Sequence, residues 1–229
     1  MGWDDVWDGR ELLQAGFINT ISLTVASIIT ASLLGLAVAL VRTARVRVLS
    51  PILRGYLEIF RGSPLLIQML FIYFGAAFLV KDYEMPAIVA NYLRDFSTYE
   101  AALVALTLYE GALISEIFRA GIEAVPPGQR EAGRSLGMSS YQVMRFLVLP
   151  QSFKVALAPL VGQYIGLVKD TSLAGAIIFG ELVLQSGYVI ARIGLPFHVY
   201  AVVALMYFVV CYPMSLAARL LEKKRGATT

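Results

Sequence analysis

The sequence predicts an all-α, polytopic membrane protein with five transmembrane helices, on three observations. Apolar residues make up 58% of the 229 and charged residues only 15%, where a soluble domain carries about 25% charge. Five segments supply the roughly 20 mostly apolar residues that a bilayer core demands: about 17–41, 56–80, 99–118, 155–189 and 195–221. Charge also changes sign between the loops. Stretches 42–61, 119–154 and 219–225 hold 14 of the 19 basic residues against four acids, whereas the N-terminal segment and the 81–100 loop hold eight acids against three bases. The positive-inside rule puts the basic set in the cytoplasm. Five spans with the N-terminus outside and the C-terminus inside satisfy every loop. Residues 1–229 read as a single transmembrane domain, since the longest hydrophilic stretch, 119–154, is too short to fold alone.

The first span, Phe17–Val41, is long and uncharged. In the second, Ser63-Pro64 predicts a break, with Ser63 as N-cap and Pro64 at N1 of a helix restarting partway through the span. The third, Tyr99–Phe118, carries Glu110 and Glu116. The fourth reads as Val155–Val168, an interruption at Lys169-Asp170-Thr171-Ser172, and Leu173–Val189 as a return or short outer helix. Leu195–Leu221 is the last. Within the loop 119–154, Pro126-Pro127-Gly128 stops the third span. Gln129–Leu136 has helical composition and ends at Gly137, a natural C′ residue. Ser139 or Ser140 can cap a second helix, Tyr141–Val148, ended by Pro150. The expectation is helix, glycine turn, helix, lying across the membrane face. Small Ala132 and Gly133 would let another surface approach, and Arg130, Glu131 and Arg134 would supply rim charge.

Charge at membrane depth is costly and normally faces a cavity or a partner. Broken helices in transporters turn their backbone ends toward the substrate, and free N–H groups there suit an anion such as an α-carboxylate. Ser63, Asp170 and Thr171 are therefore candidates for the substrate path, with Asn19 at the outer start of the first span. Asp170, Glu110 or Glu116 would meet an α-ammonium or a cationic side chain. Each has a structural alternative: Asp170 beside Lys169, Glu116 at i,i+3 from Arg119, and the rest as interhelical glue.

The same loop reads Glu131-Ala132-Gly133, three residues, Gly137, nine residues, Leu147, one residue, Leu149-Pro150. Flanking it are Phe60-Arg61-Gly62-Ser63-Pro64-Leu65-Leu66-Ile67-Gln68, Glu116-Ile117-Phe118-Arg119-Ala120-Gly121 running on to Pro126-Pro127-Gly128-Gln129, and Lys169-Asp170-Thr171-Ser172-Leu173. In this order the four fragments resemble the membrane-spanning permease subunits of ABC importers, and those for polar amino acids in particular. The resemblance covers residues from about 15 to 185. It implies a type I importer transmembrane domain in the cytoplasmic (inner) membrane of a prokaryote. The loop would dock into a groove of a separate ATPase, with Arg130, Glu131, Ala132, Gly133 and Gly137 carrying the coupling; Gly133 stands where the family more often has alanine. The implied partners are two ATPase copies, a second permease copy or a paralogue, an extracytoplasmic amino-acid-binding protein, a polar amino-acid substrate and membrane lipid. ATP and magnesium would be bound by the ATPase, so no cofactor is expected in this chain.

Other classes fit less well. The chain has no G-x-x-x-x-G-K-[ST] phosphate loop, so it cannot supply the ATPase. A self-sufficient secondary transporter or channel would be small at this length, and the one-way charge bias opposes dual topology. An intramembrane enzyme lacks H-E-x-x-H, and the lone His198 leaves little for Ser–His or metal chemistry. One cysteine, Cys211, excludes a disulfide framework and a Cys-based metal site. The acidic N-terminal segment is opposite in sign to a signal peptide's basic region, so no cleavage is expected. The basic residues flank membrane segments, so the sequence pI near 9.0 reflects topology rather than nucleic-acid binding.

Overall fold

A computed structural model describes residues 2–44, 47–83 and 86–226. Arg45 and Glu84, which enter the charge counts above, lie outside the described residues. Among the described residues, eleven α-helices follow one another: α1 (Trp3–Trp7), α2 (Arg10–Thr43), α3 (Leu49–Gly62), α4 (Leu65–Asp82), α5 (Ala87–Arg94), α6 (Thr98–Glu123), α7 (Pro127–Ser135), α8 (Ser140–Gln142), α9 (Leu149–Asp170), α10 (Leu182–Ile193) and α11 (Pro196–Gly226). A π-helical segment, Val143–Val148, joins α8 to α9, and a 3₁₀ turn, Thr171–Ile177, follows α9. Among the described residues there is no strand.

Among the described residues, four stretches are long and apolar enough to cross a bilayer: Arg10–Thr43, Thr98–Glu123, Ser140–Ile177 and Pro196–Lys223. A bent pair, α3 with α4, gives up to a fifth. Helix α6 is the hub, packing against α2, α3, α4 and α9. Its inward face is made of small residues, Ala101, Ala102, Ala105 and Ala112, which let helix backbones approach where lipid removes any hydrophobic advantage of packing. The α2–α6 crossing is tight at Gly35, where an added Cβ would lie 2.7 Å from Ile114 Cγ2 and 3.0 Å from the Gly111 carbonyl. Thr30 and Thr107 hydroxyls join across the same pair at 2.6 Å. The outward faces carry Ile18, Val25, Ile29 and Leu33 on α2, Phe71, Phe74 and Phe78 on α4, and Leu205, Phe208 and Val209 on α11, all exposed. Apolar exposure on that scale marks a surface made for something other than water.

The structure departs from the sequence reading at two elements. The second span was expected over 56–80; the helix before its break starts at Leu49, inside the stretch read as cytoplasmic loop, and turns by 108° into α4. Leu53, Tyr56, Leu57 and Phe60, spaced i, i+3, i+4, i+7, pack on Val38, Leu34 and Ala112 of α2 and α6, while Arg54, Glu58 and Arg61 interleave them. An amphipathic helix with a charged outer stripe does not read as a span. The second departure is at Pro150. No helix ends there: α8, the π segment and α9 are continuous. Leu149 N–H donates to the Met144 carbonyl, an i→i−5 bond, and the widened turn accommodates a proline that lacks an N–H.

Candidate functional site

The loop between α6 and α9 is a packed unit. Pro126 precedes α7 as its N-cap and Pro127 stands in its first turn. At the other end Gly137 has φ +79°. Gly137 N–H donates to the Arg134 carbonyl at 2.9 Å and Met138 N–H to the Gly133 carbonyl at 3.1 Å. These are the two bonds of a Schellman turn, which needs a left-handed residue at C′. Ser139 then caps α8, its Oγ accepting from Gln142 N–H, and Gln142 returns a bond to Ser139 N–H. Ile122, Val125, Val143 and Val148 form the small core beneath.

Two expected coupling residues face inward instead. Gly133 is buried, and a Cβ there would lie 2.6 Å from Leu147 Cδ1 and 3.0 Å from Val143 Cγ2; its small size serves the loop's own second helix. Arg130 Nη2 donates to the Ile122 carbonyl at 2.8 Å, tying α7 to the end of α6. The outward face of α7 holds Glu131, Ala132 and Ser135, and at its tip Leu136 is 83% exposed. Tyr141 and Phe146 are exposed beyond it. Sequence reasoning missed Leu136; its signal was a lone large apolar residue in a polar helix, directly before the turn glycine. Beside this face lies a cavity of about 810 Å³ lined by Leu40, Thr43, Arg134, Tyr141, Met144 and Arg145 among others.

About two turns before the end of α6, Glu116 gathers cations from three helices. It binds Arg42 of α2, Arg119 of its own helix at 2.8 Å, and Arg61 of α3 at 3.6 Å. Arg119 also pairs with Glu123. The expected Arg119 pairing is present. Arg42 and Arg61 are too distant in sequence for spacing to have shown them.

Of the five substrate-path candidates, the structure brings two together. Glu110 is fully buried on α6 and accepts from Gln163 Nε2 of α9 at 2.9 Å; Asp170, the last residue of α9, stands beside it. The others are engaged elsewhere. Asn19 Nδ2 donates to the Gly180 carbonyl at 2.8 Å, and its neighbour Thr20 accepts from Leu182 N–H at 3.0 Å. Both pin the return after the 3₁₀ turn, where Ile178 has φ +62° and buried Glu181 caps α10. Thr171 is buried, with Oγ1 donating to the Val168 carbonyl at 2.7 Å. Ser63 ends α3 in an extended conformation; Pro64, not Ser63, is the N-cap of α4. Ser63 Oγ donates to the Ile59 carbonyl, and Gln68 Nε2 reaches Ser63 Oγ at 2.8 Å and the Phe60 carbonyl at 2.9 Å. The polar groups at that bend therefore staple it. Among the described residues, no group of three or more His, Cys, Asp or Glu is placed to hold a metal ion.

Residues 16–226 match the family described as binding-protein-dependent transport system inner membrane component. A probable glutamine ABC transporter permease of Bacillus subtilis is 36% identical over 93% of this chain and 93% of its own. An L-cystine transport system permease of the same organism is 36% identical over 93% and 86%, and a glutamine transport system permease of Escherichia coli K12 is 29% identical over 97% and 96%. A crystal structure of an amino acid ABC transporter with histidines superposes with TM-score 0.83 at 30% identity, covering 98% of this chain and 99% of that one. An inward-facing methionine ABC transporter shares the fold at TM-score 0.75 and 22% identity. The chain belongs to the family of binding-protein-dependent transport system inner membrane components.

Proposed function

We propose that this chain is the permease subunit of an ATP-driven ABC importer for polar amino acids, set in the cytoplasmic membrane of a prokaryote with its N-terminus outside and its C-terminus inside. The full-length likeness to permeases of glutamine and cystine systems supports the substrate class. Two copies, or one copy and a paralogue, form the pathway. Two ATPase subunits, which bind ATP and magnesium, dock beneath, and an extracytoplasmic binding protein delivers the amino acid. ATP binding draws the docking loops together and opens the pathway outward, and hydrolysis returns it.

The observation that carries this reading is the cytoplasmic loop. It is rigidified by a Schellman turn, a capping box and its own core, yet it presents Glu131, Ala132 and Leu136 exposed on its surface. A large apolar side chain on a rigid, otherwise polar tip suits a pocket on another protein. The test is affinity purification of the chain from its native membrane. An ATPase subunit should co-purify, and Leu136→Glu should release it while leaving membrane insertion intact. Absence of any ATPase from the wild-type preparation would return the chain to the secondary-transporter class.

A further inference from the structure

The cavity of about 810 Å³ beside α7 is lined by three arginines, Arg130, Arg134 and Arg145, and by no acid among the described lining residues. Among the described residues none of the three forms an ion pair, whereas Arg42, Arg61 and Arg119 are matched by Glu116 and Glu123. Arg130 is tied to the Ile122 carbonyl at 2.8 Å. Arg145 lies over the exposed rings of Tyr141 and Phe146, 5.9 and 5.6 Å from their centroids, and its Nη1 donates to Tyr141 Oη at 2.8 Å. Arg134 and Arg145 are themselves exposed. The inner wall is apolar. Leu40 of α2 joins Val143, Met144, Val148 and Leu149 there, all of them part of the loop's own core. Thr43 and the C-cap Ala44 place the cavity at the end of the first span, where hydrocarbon gives way to headgroups.

We propose that this cavity holds an anionic phospholipid of the cytoplasmic leaflet, its phosphate among the arginines and its chains against Leu40 and the apolar wall. This rests on the orientation proposed above, which sets the loop at the cytoplasmic face. Charge chooses the occupant. Guanidiniums without a counter-ion repel one another, and each can grip a phosphate through two parallel N–H bonds. Basic pockets on the cytoplasmic side of membrane helices suit acidic headgroups, and the tyrosine and arginine at the rim belong to that interface. A zwitterionic headgroup brings an ammonium with its phosphate and cancels the attraction. A segment of the ATPase suits the cavity less well, because one wall is a membrane span, while Glu131, Ala132 and Leu136 are exposed elsewhere on the loop. The lipid joins α7, through Arg134, and the π segment, through Arg145, to the end of α2. It thereby steadies the loop that docks the ATPase.

The test places the permease with its attached ATPase in nanodiscs of phosphatidylcholine alone or of equal parts phosphatidylcholine and phosphatidylglycerol. Lipid retained after release into detergent is counted by native mass spectrometry, and hydrogen exchange is followed over 127–148. Phosphatidylglycerol should be retained about tenfold over phosphatidylcholine, and the loop should exchange more slowly in the mixed discs. Arg134→Gln with Arg145→Gln should erase both effects, and Arg219→Gln, on α11 and outside the cavity lining, should keep both. Equal retention in the wild type, a preference surviving in the double variant, or an equal loss in Arg219→Gln would each overturn the proposal. Protection restored in phosphatidylcholine discs by inorganic phosphate would overturn it in favour of a free anion. Release of the ATPase by the double variant would assign the arginines to the docking interface instead. Arg134→Gln alone serves where the double variant fails to fold. Attachment of the ATPase to the wild type reports separately on the underlying permease reading.

Discussion

At the scale of single residues, the loop's turn makes the sharpest forecasts. Gly137 is held at φ +79° by two backbone bonds. A β-branched side chain is strained there by about 1–3 kcal/mol, so Gly137→Val should insert normally but lose the co-purifying ATPase and substrate-stimulated hydrolysis. Unchanged coupling would remove the turn from the mechanism. Gly133 behaves differently because its close neighbours are the ends of two side chains, Leu147 and Val143. Gly133→Ala should keep coupling, since these ends can shift, whereas Gly133→Phe should disorder the loop and abolish it; hydrogen exchange across 127–148 would register the difference. Gly137 and Ser139 were legible in the sequence because capping is local, decided within four residues. The partner of Arg130 and the further partners of Glu116 beyond Arg119 were not, because Ile122, Arg42 and Arg61 reach them only through tertiary packing.

At the scale of elements, the Glu116 group joins α2, α3 and α6 at one level, toward the end of α6 that leads into α7. Its side chain is 22% exposed, enough burial for charge-assisted bonds to contribute about 1.5–3 kcal/mol. Glu116→Gln should lower the thermal midpoint by several degrees and loosen α3 first, read as faster exchange over 49–62. An unchanged midpoint would mean the arginines are solvated equally well without it. Helix α3 also shows where periodicity falls short. Its apolar stripe of Leu53, Tyr56, Leu57 and Phe60 is regular, but alternating charges made its first part, before Tyr56, read as a loop next to a span. The bend at Ser63-Pro64 was placed correctly from proline chemistry, while the cap falls one residue later, on Pro64, and Gln68 supplies the polar staple from within the next helix.

At the scale of the molecule, the basic-loop count predicts its orientation. In a Cys211→Ala background, a cysteine at Asp4 should react with an impermeant thiol reagent in intact cells, and one at Ser139 should not. The reverse pattern would overturn the topology and the docking reading with it. The all-α membrane fold was readable because lipid imposes length and polarity on every span. Of the substrate-path candidates, Asn19 reaches a carbonyl 161 residues away, which sequence spacing does not reveal, while Thr171 and Ser63 donate to carbonyls of their own preceding turns.

The uninterrupted helix from Ser140 to Asp170 has a consequence for how this chain can tolerate length changes. Each residue added to an α-helix rotates all that follows by about 100° and advances it about 1.5 Å. The π segment at Val143–Val148 already absorbs one such surplus residue. Deleting a residue within it would convert the segment to ordinary α-helix and swing the tip at Leu136 around the axis relative to Asp170. The loop tip and the far end of α9 therefore share one phase angle, and a single-residue deletion there should silence transport while leaving every side chain at both ends intact.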